Sequence, residues 1–216
     1  MDIILSSISQ GLLWSVMAIG VYLTFRILDI ADMTAEGSYP LGAAVCATGI
    51  VNGLNPLLAT FLAMIAGMGA GLISGLLHTK LKIPALLTGI VTLTGLYSIN
   101  LKILGKANVA LLKQETLVTQ LQDFGLAKTN AVLVIGIIFV LAVVGVLTLL
   151  LNTQIGLAIR STGDNIPMSE ANGINVDRMK IYGYMVSNGL IALCGALLTQ
   201  NNGYADLNSG TGTIVI

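Results

Sequence analysis

The sequence predicts an all-α, polytopic membrane protein, and three observations predict it. Of 216 residues, 55% are hydrophobic and only 9% charged, whereas soluble domains carry about a quarter charged residues. The mean hydropathy is +0.90. Asp, Glu, Lys and Arg are absent from residues 3–25, 37–77, 83–101, 129–159 and 181–205. A helical span needs about 20 mostly apolar residues, so these intervals are span-sized. The formal net charge of zero argues against a nucleic-acid partner.

Taken in order, the intervals predict six spans, roughly 6–26, 38–52, 56–77, 84–101, 130–151 and 181–200. The interval 37–77 divides at Asn52-Gly53-Leu54-Asn55-Pro56, which leaves the second span short. The N-terminus carries Asp2 and no basic segment, so the first apolar run is not a typical cleaved signal peptide. From Thr211 to Ile216 another apolar run begins. The chain is therefore expected to be truncated at its C-terminus, within the start of a further span.

The third span carries a small residue at every fourth position: Ala59, Ala63, Gly67, Gly71 and Gly75. Such a stripe lets helix backbones approach closely. It serves either a dimer interface or packing within the subunit, and in both cases the helix is central. Between the fourth and fifth spans, Leu117, Val118, Leu121 and Phe124 recur at helical spacing. They predict a short amphipathic helix on the outer surface. Cys46 and Cys194 lie in apolar spans and read as buried small hydrophobes. His78, beside Lys80 and Lys82, reads as an interfacial residue.

Several chemistries are missing. No Gly-x-x-x-x-Gly-Lys-Ser/Thr loop is present, so the chain should not itself hydrolyse ATP. No Cys/His cluster has metal-ligand spacing, and neither zinc-protease nor serine-hydrolase motifs occur. The spans contain no ionisable residue at depth, which weakens an autonomous ion-coupled carrier and fits a conduit driven by another subunit. Neutral polar groups do occur there, among them Thr88, Thr92, Asn100 and Asn188. They either line a passage for a polar solute or only hydrogen-bond to neighbouring helices.

The most informative stretch is the polar island from Asn152 to Lys180, which holds six charged residues between two uncharged spans. Asp164 or Asn165 can cap a short helix, with Pro167 in the first turn, where its missing N–H costs nothing. Gly173 supplies a left-handed stop. Asn175 or Asp177 then caps a helix entering the last span. The first of these helices, one and a half to two turns long, is too short and polar to cross lipid and must lie at the surface. With the island in the cytoplasm, Arg26, Lys80, Lys82, Arg160, Arg178 and Lys180 fall inside. Lys102, Lys106, Lys113 and Lys128 fall outside, as does the N-terminus, a weak positive-inside bias. The island is either a coupling element or an ordinary loop.

The island resembles the coupling loop of permease subunits of ATP-binding-cassette importers, in the branched-chain amino acid and ribose permease family. Gly156, Ala158, Arg160, Gly163, Asp164, Asn165, Gly173, Ile174 and Asn175 match that pattern, and Ser161 stands where the family has Ala. Ser187 to Ala196 resembles the Gly/Ala-rich helix that follows. Gly11 to Gly42 resembles the family's opening, although the Asn-Phe-Ala-His-Gly form common in branched-chain permeases is absent. Phe25-Arg-Ile-Leu-Asp29 and Leu76-Leu-His-Thr-Lys-Leu-Lys-Ile83 look more like a subgroup that imports aromatic amino acids.

The resemblance implies a single permease domain over 1–216 in a bacterial inner membrane. It implies a second permease copy, cytoplasmic ATPase subunits that hold the ATP and Mg, and an extracytoplasmic solute-binding protein. Residues 152–180 would be the coupling loop, with Arg160, Asp164, Asn165, Glu170 and Gly173 engaging the ATPase and no catalytic residue or cofactor in this chain. An ATP-independent carrier or channel and a non-transporting scaffold are the alternatives.

Overall fold

The computed structural model describes residues 2–111, 114–123, 125 and 127–212. The helices are α1 (Asp2–Tyr22), α2 (Ala35–Val51), α3 (Pro56–Lys80), α4 (Ala85–Leu104), α5 (Leu117–Asp123), α6 (Lys128–Leu151), α7 (Gln154–Asp164), α8 (Ile166–Ala171) and α9 (Val176–Asn202). A π-helical turn, Leu23–Ile27, prolongs α1. Among the described residues, five helical segments are long and apolar enough to cross a membrane, namely Ile3–Ile27, α3, α4, α6 and α9. The expected polytopic all-α class is what the chain adopts.

The second expected span differs from the others in kind. Helix α2 has 17 residues, about 25 Å at 1.5 Å per residue. Most of its side chains are buried, against α3, α4 and α9. A helix sheathed by its neighbours does not need a lipid-matched length. Helix α9 is the other buried axis, with an unbroken buried run from Ser187 to Gln200.

The small-residue stripe on α3 is covered by this chain's own helices. Ala59 and Ala63 pack with Ala43, Ala44, Cys46 and Ala47 of α2. Gly67 and Gly71 lie so close to α9 that an added Cβ would overlap the backbone carbonyls of Asn188 and Tyr184. Gly75 approaches Ile181. The stripe faces into the subunit. Both cysteines are free and buried.

One end of the bundle carries residues 28–34, 81–84 and the island. At the other end, β1 (Asn108–Ala110) pairs antiparallel with β2 (Tyr204–Asp206), Val109 opposite Ala205. Helix α5 sits there too, its Leu117 N–H donating to Gln200 Oε1 at 3.0 Å. Leu117, Val118 and Leu121 pack on the core, as an amphipathic helix should. Phe124, Lys113 and the apolar tail at 213–216 lie outside the described residues.

Candidate functional site

The island folds through local capping. The Asn165 side chain accepts the Met168 N–H at 3.0 Å, and Pro167 occupies the first turn of α8. Asn165, not Asp164, is the cap. Gly173 takes φ +79°. Around it, Gly173 N–H donates to Glu170 O at 2.9 Å and Ile174 N–H to Ser169 O at 3.0 Å. These two bonds are the Schellman pair that satisfies the last carbonyls of a helix. Asn175 then caps α9 by accepting the Arg178 N–H at 3.1 Å.

The stretch 154–164, to which sequence reading assigned no helix, is one, and its buried Gly156, Ile159 and Thr162 recur every third residue. That spacing, behind the Thr153 cap, was the available signal. Ile159 packs with Leu23, Leu28, Ile30 and Tyr184. Gly163 lies against the Ile27 carbonyl, closely enough that a Cβ would overlap it. Helix α7 is thus anchored on the end of α1 and on α9 together. Arg160, Asp164, Asn165, Glu170 and Gly173 are all exposed. Ile166 and Met168, 40% and 54% exposed, add an apolar surface beside Glu170 that the charge pattern did not reveal.

The connector after α1 holds a carboxylate that sequence reading assigned to a loop. Asp32 is 1% exposed. It accepts the Thr34 N–H at 2.9 Å and Asn188 Nδ2–H at 2.7 Å. Asn188 Oδ1 in turn accepts from Ser38 at 2.6 Å, and Thr34 pairs with Ser74 at 2.8 Å. Asn188 lies near the middle of α9, so the connector brings an ionisable group against the bundle interior, while the uncharged stretches of the spans contribute none. Burial pushes the Asp32 carboxyl above its ordinary range, opposed by the bonds from Thr34 and Asn188 and by the charge of His78. His78 is more than interfacial: its Nδ1 pairs with Ile83 O at 2.8 Å and its ring lies 6.0 Å from that of Tyr184.

The four residues assigned to a possible pathway separate. Thr88 and Thr92 are buried and donate to the carbonyls of Ile83 and Thr88. Asn188 belongs to the Asp32 network. Asn100 lines a cavity between α2, α4 and residues 207–211, and its Nδ2 donates to Gly37 O at 3.3 Å.

A sheathed core, several membrane-length helices and a capped, exposed island define a multi-pass membrane protein. Residues 3–216 match the family model described as branched-chain amino acid transport system / permease component, and the chain belongs to that family. It is the permease component of an ATP-binding-cassette-type transport system for amino acids or sugars. A tyrosine transport system permease protein of Clostridioides difficile (strain R20291) is 43% identical over 99% of this chain and 70% of its own length. An uncharacterized protein, RP368, of Rickettsia prowazekii (strain Madrid E) is 34% identical over 100% and 74%. The autoinducer 2 import system permease protein LsrC of Yersinia enterocolitica is 28% identical over 97% and 56%. No solved structure matches the chain.

Proposed function

We propose that this chain is the translocation subunit of an importer in the bacterial cell membrane, paired with a second permease copy. Cytoplasmic ATPase subunits and an extracytoplasmic binding protein complete the assembly, and ATP and Mg reside on the ATPase. The island faces the cytoplasm, the side with the larger count of basic residues. The solute is an amino acid with an aromatic side chain, a reading supported by the 43% identity to the tyrosine permease.

One observation carries the coupling assignment. Helix α8 is fixed at both ends by its caps and exposes Met168 and Glu170, while its neighbour α7 is buried on α1, the connector and α9 through Ile159. A force on α8 therefore reaches two spans and the Asp32 connector. Binding energy moves the permease only if the ATPase prefers one of its states, so the docking surface must be rigid. Arg160 and Asp164, exposed on α7, extend that surface.

The test uses the full-length permease with its ATPase and binding protein in liposomes. Glu170→Lys places the wrong charge on the surface, and Gly173→Pro forbids the positive φ and removes the N–H that closes α8. Each is expected to lower solute-stimulated ATP hydrolysis by about tenfold or more, roughly 1.4 kcal/mol of coupling, with membrane insertion unchanged. Normal stimulation and uptake in both variants would show that α8 is not the coupling helix.

A further inference from the structure

We propose that the cavity between α2, α4 and residues 207–211 is a solute subsite that binds a primary ammonium group carried on an apolar body. The proposal rests on the permease reading above and names the place where this chain touches the solute. The cavity, open on one side, has a volume of about 290 Å³, near the lower end of the range for small-molecule sites.

The polar lining contains one unpartnered acceptor and one carboxylate. Asn100 is 1% exposed. Its Nδ2–H is engaged by Gly37 O, which sets the amide orientation, because the reversed amide would put oxygen against oxygen. Its Oδ1 is buried and has no partner. Glu36 adds a carboxylate to the lining. The Thr94 and Thr211 hydroxyls are already used, donating to Val91 O at 2.8 Å and Asn208 O at 2.9 Å, and the lining also includes Tyr97 and Asn208. Lys, Arg and His are absent from the described lining residues. A carboxylate and an amide oxygen without facing cations suit a group with several donors and one positive charge, and set the net charge of the lining against a carboxylate. Leu93, Pro40 and Tyr97 supply the apolar walls.

The backbone around the cavity is interrupted on two sides. Pro40 lies inside α2 and cannot donate to the Glu36 carbonyl. Beyond β2, the chain turns without helix back into the bundle, until Gly210 lies against that same carbonyl. Ser38, two residues from Glu36, is bonded to Asn188 near the middle of α9. Non-helical backbone at such depth persists where it is buried in protein or lines a cavity. Interrupted helices near the mid-plane are also where transporters hold their solutes.

The test is equilibrium binding to the full-length chain in lipid nanodiscs, with L-tyrosine, phenethylamine and 3-phenylpropionate as probes. Tyrosine and phenethylamine should bind, and the acid, which lacks the ammonium, about tenfold more weakly or worse. Glu36→Gln and Asn100→Leu should each weaken phenethylamine binding about tenfold. Thr94→Trp, at an exposed position, should fill the cavity and abolish binding while leaving thermal unfolding unchanged. No measurable binding of the amine, equal binding of acid and amine, or unaltered affinity in all three variants would overturn the subsite. ATP-driven tyrosine uptake by the reconstituted assembly is read separately. Its absence with probe binding intact counts against the importer reading alone, and its presence with binding insensitive to the variants removes the subsite alone.

Discussion

Where α3 meets α9, Gly67 and Gly71 bring one backbone against another, and the facing Tyr184, Asn188 and Ala192 are buried. Along α8 the opposite holds. Its backbone is closed by Asn165 and the Gly173 turn, and most of its side chains are exposed. The core is held by shape, because dispersion and small-residue contact drive helix association in lipid, where the hydrophobic effect cannot. The island is held by local hydrogen bonds, which leaves its side chains free to meet a partner. Glycine serves both regions for different reasons. In α3 it removes volume; at Gly173 it permits φ +79°.

That contrast can be broken at the core. Gly71→Leu drives a side chain into the Tyr184 backbone and is expected to destabilise the bundle by about 3 kcal/mol or more. Thermal unfolding in detergent and the yield of inserted protein would register it. A smaller loss is expected from Asn188→Leu, which leaves Asp32 and Ser38 without their buried partner, at about 2–3 kcal/mol. The same unfolding measurement checks it, and an unchanged transition would mean the connector is held by packing alone. Asn165→Ala removes only a cap, about 1 kcal/mol. It should barely move global unfolding yet raise amide exchange in α8. A large global loss there would contradict the division between a shape-held core and a locally held island.

How much could be read beforehand followed the range of the interactions. The caps at Asn165 and Asn175 and the stop at Gly173 were legible, because each involves residues no more than a few positions apart. The spans were legible because lipid demands long uncharged runs. Helix α7 was missed because its buried stripe consists of Gly, Ile and Thr, a weak apolar signal, and its partners lie in α1 and α9. Asp32 was placed in a loop because nothing within 28–34 shows that Asn188, 156 positions away, supplies its hydrogen bond. Of the proposed pathway residues, only the fold could separate Asn100, with a free buried oxygen, from Thr88 and Thr92, whose hydroxyls are satisfied by nearby backbone carbonyls.

The sequence by itself determined the membrane class, the order of the apolar segments, the island's caps and the resemblance that led to the family. Periodicity, charge and capping act over one or two helical turns and need no partner to be read. The tertiary structure decided that the stripe on α3 faces its own subunit, that α2 is sheathed, and that the 28–34 and 207–211 segments fold back into the bundle. Those outcomes depend on which backbones touch, and contact between distant segments is set by the packing of the whole bundle.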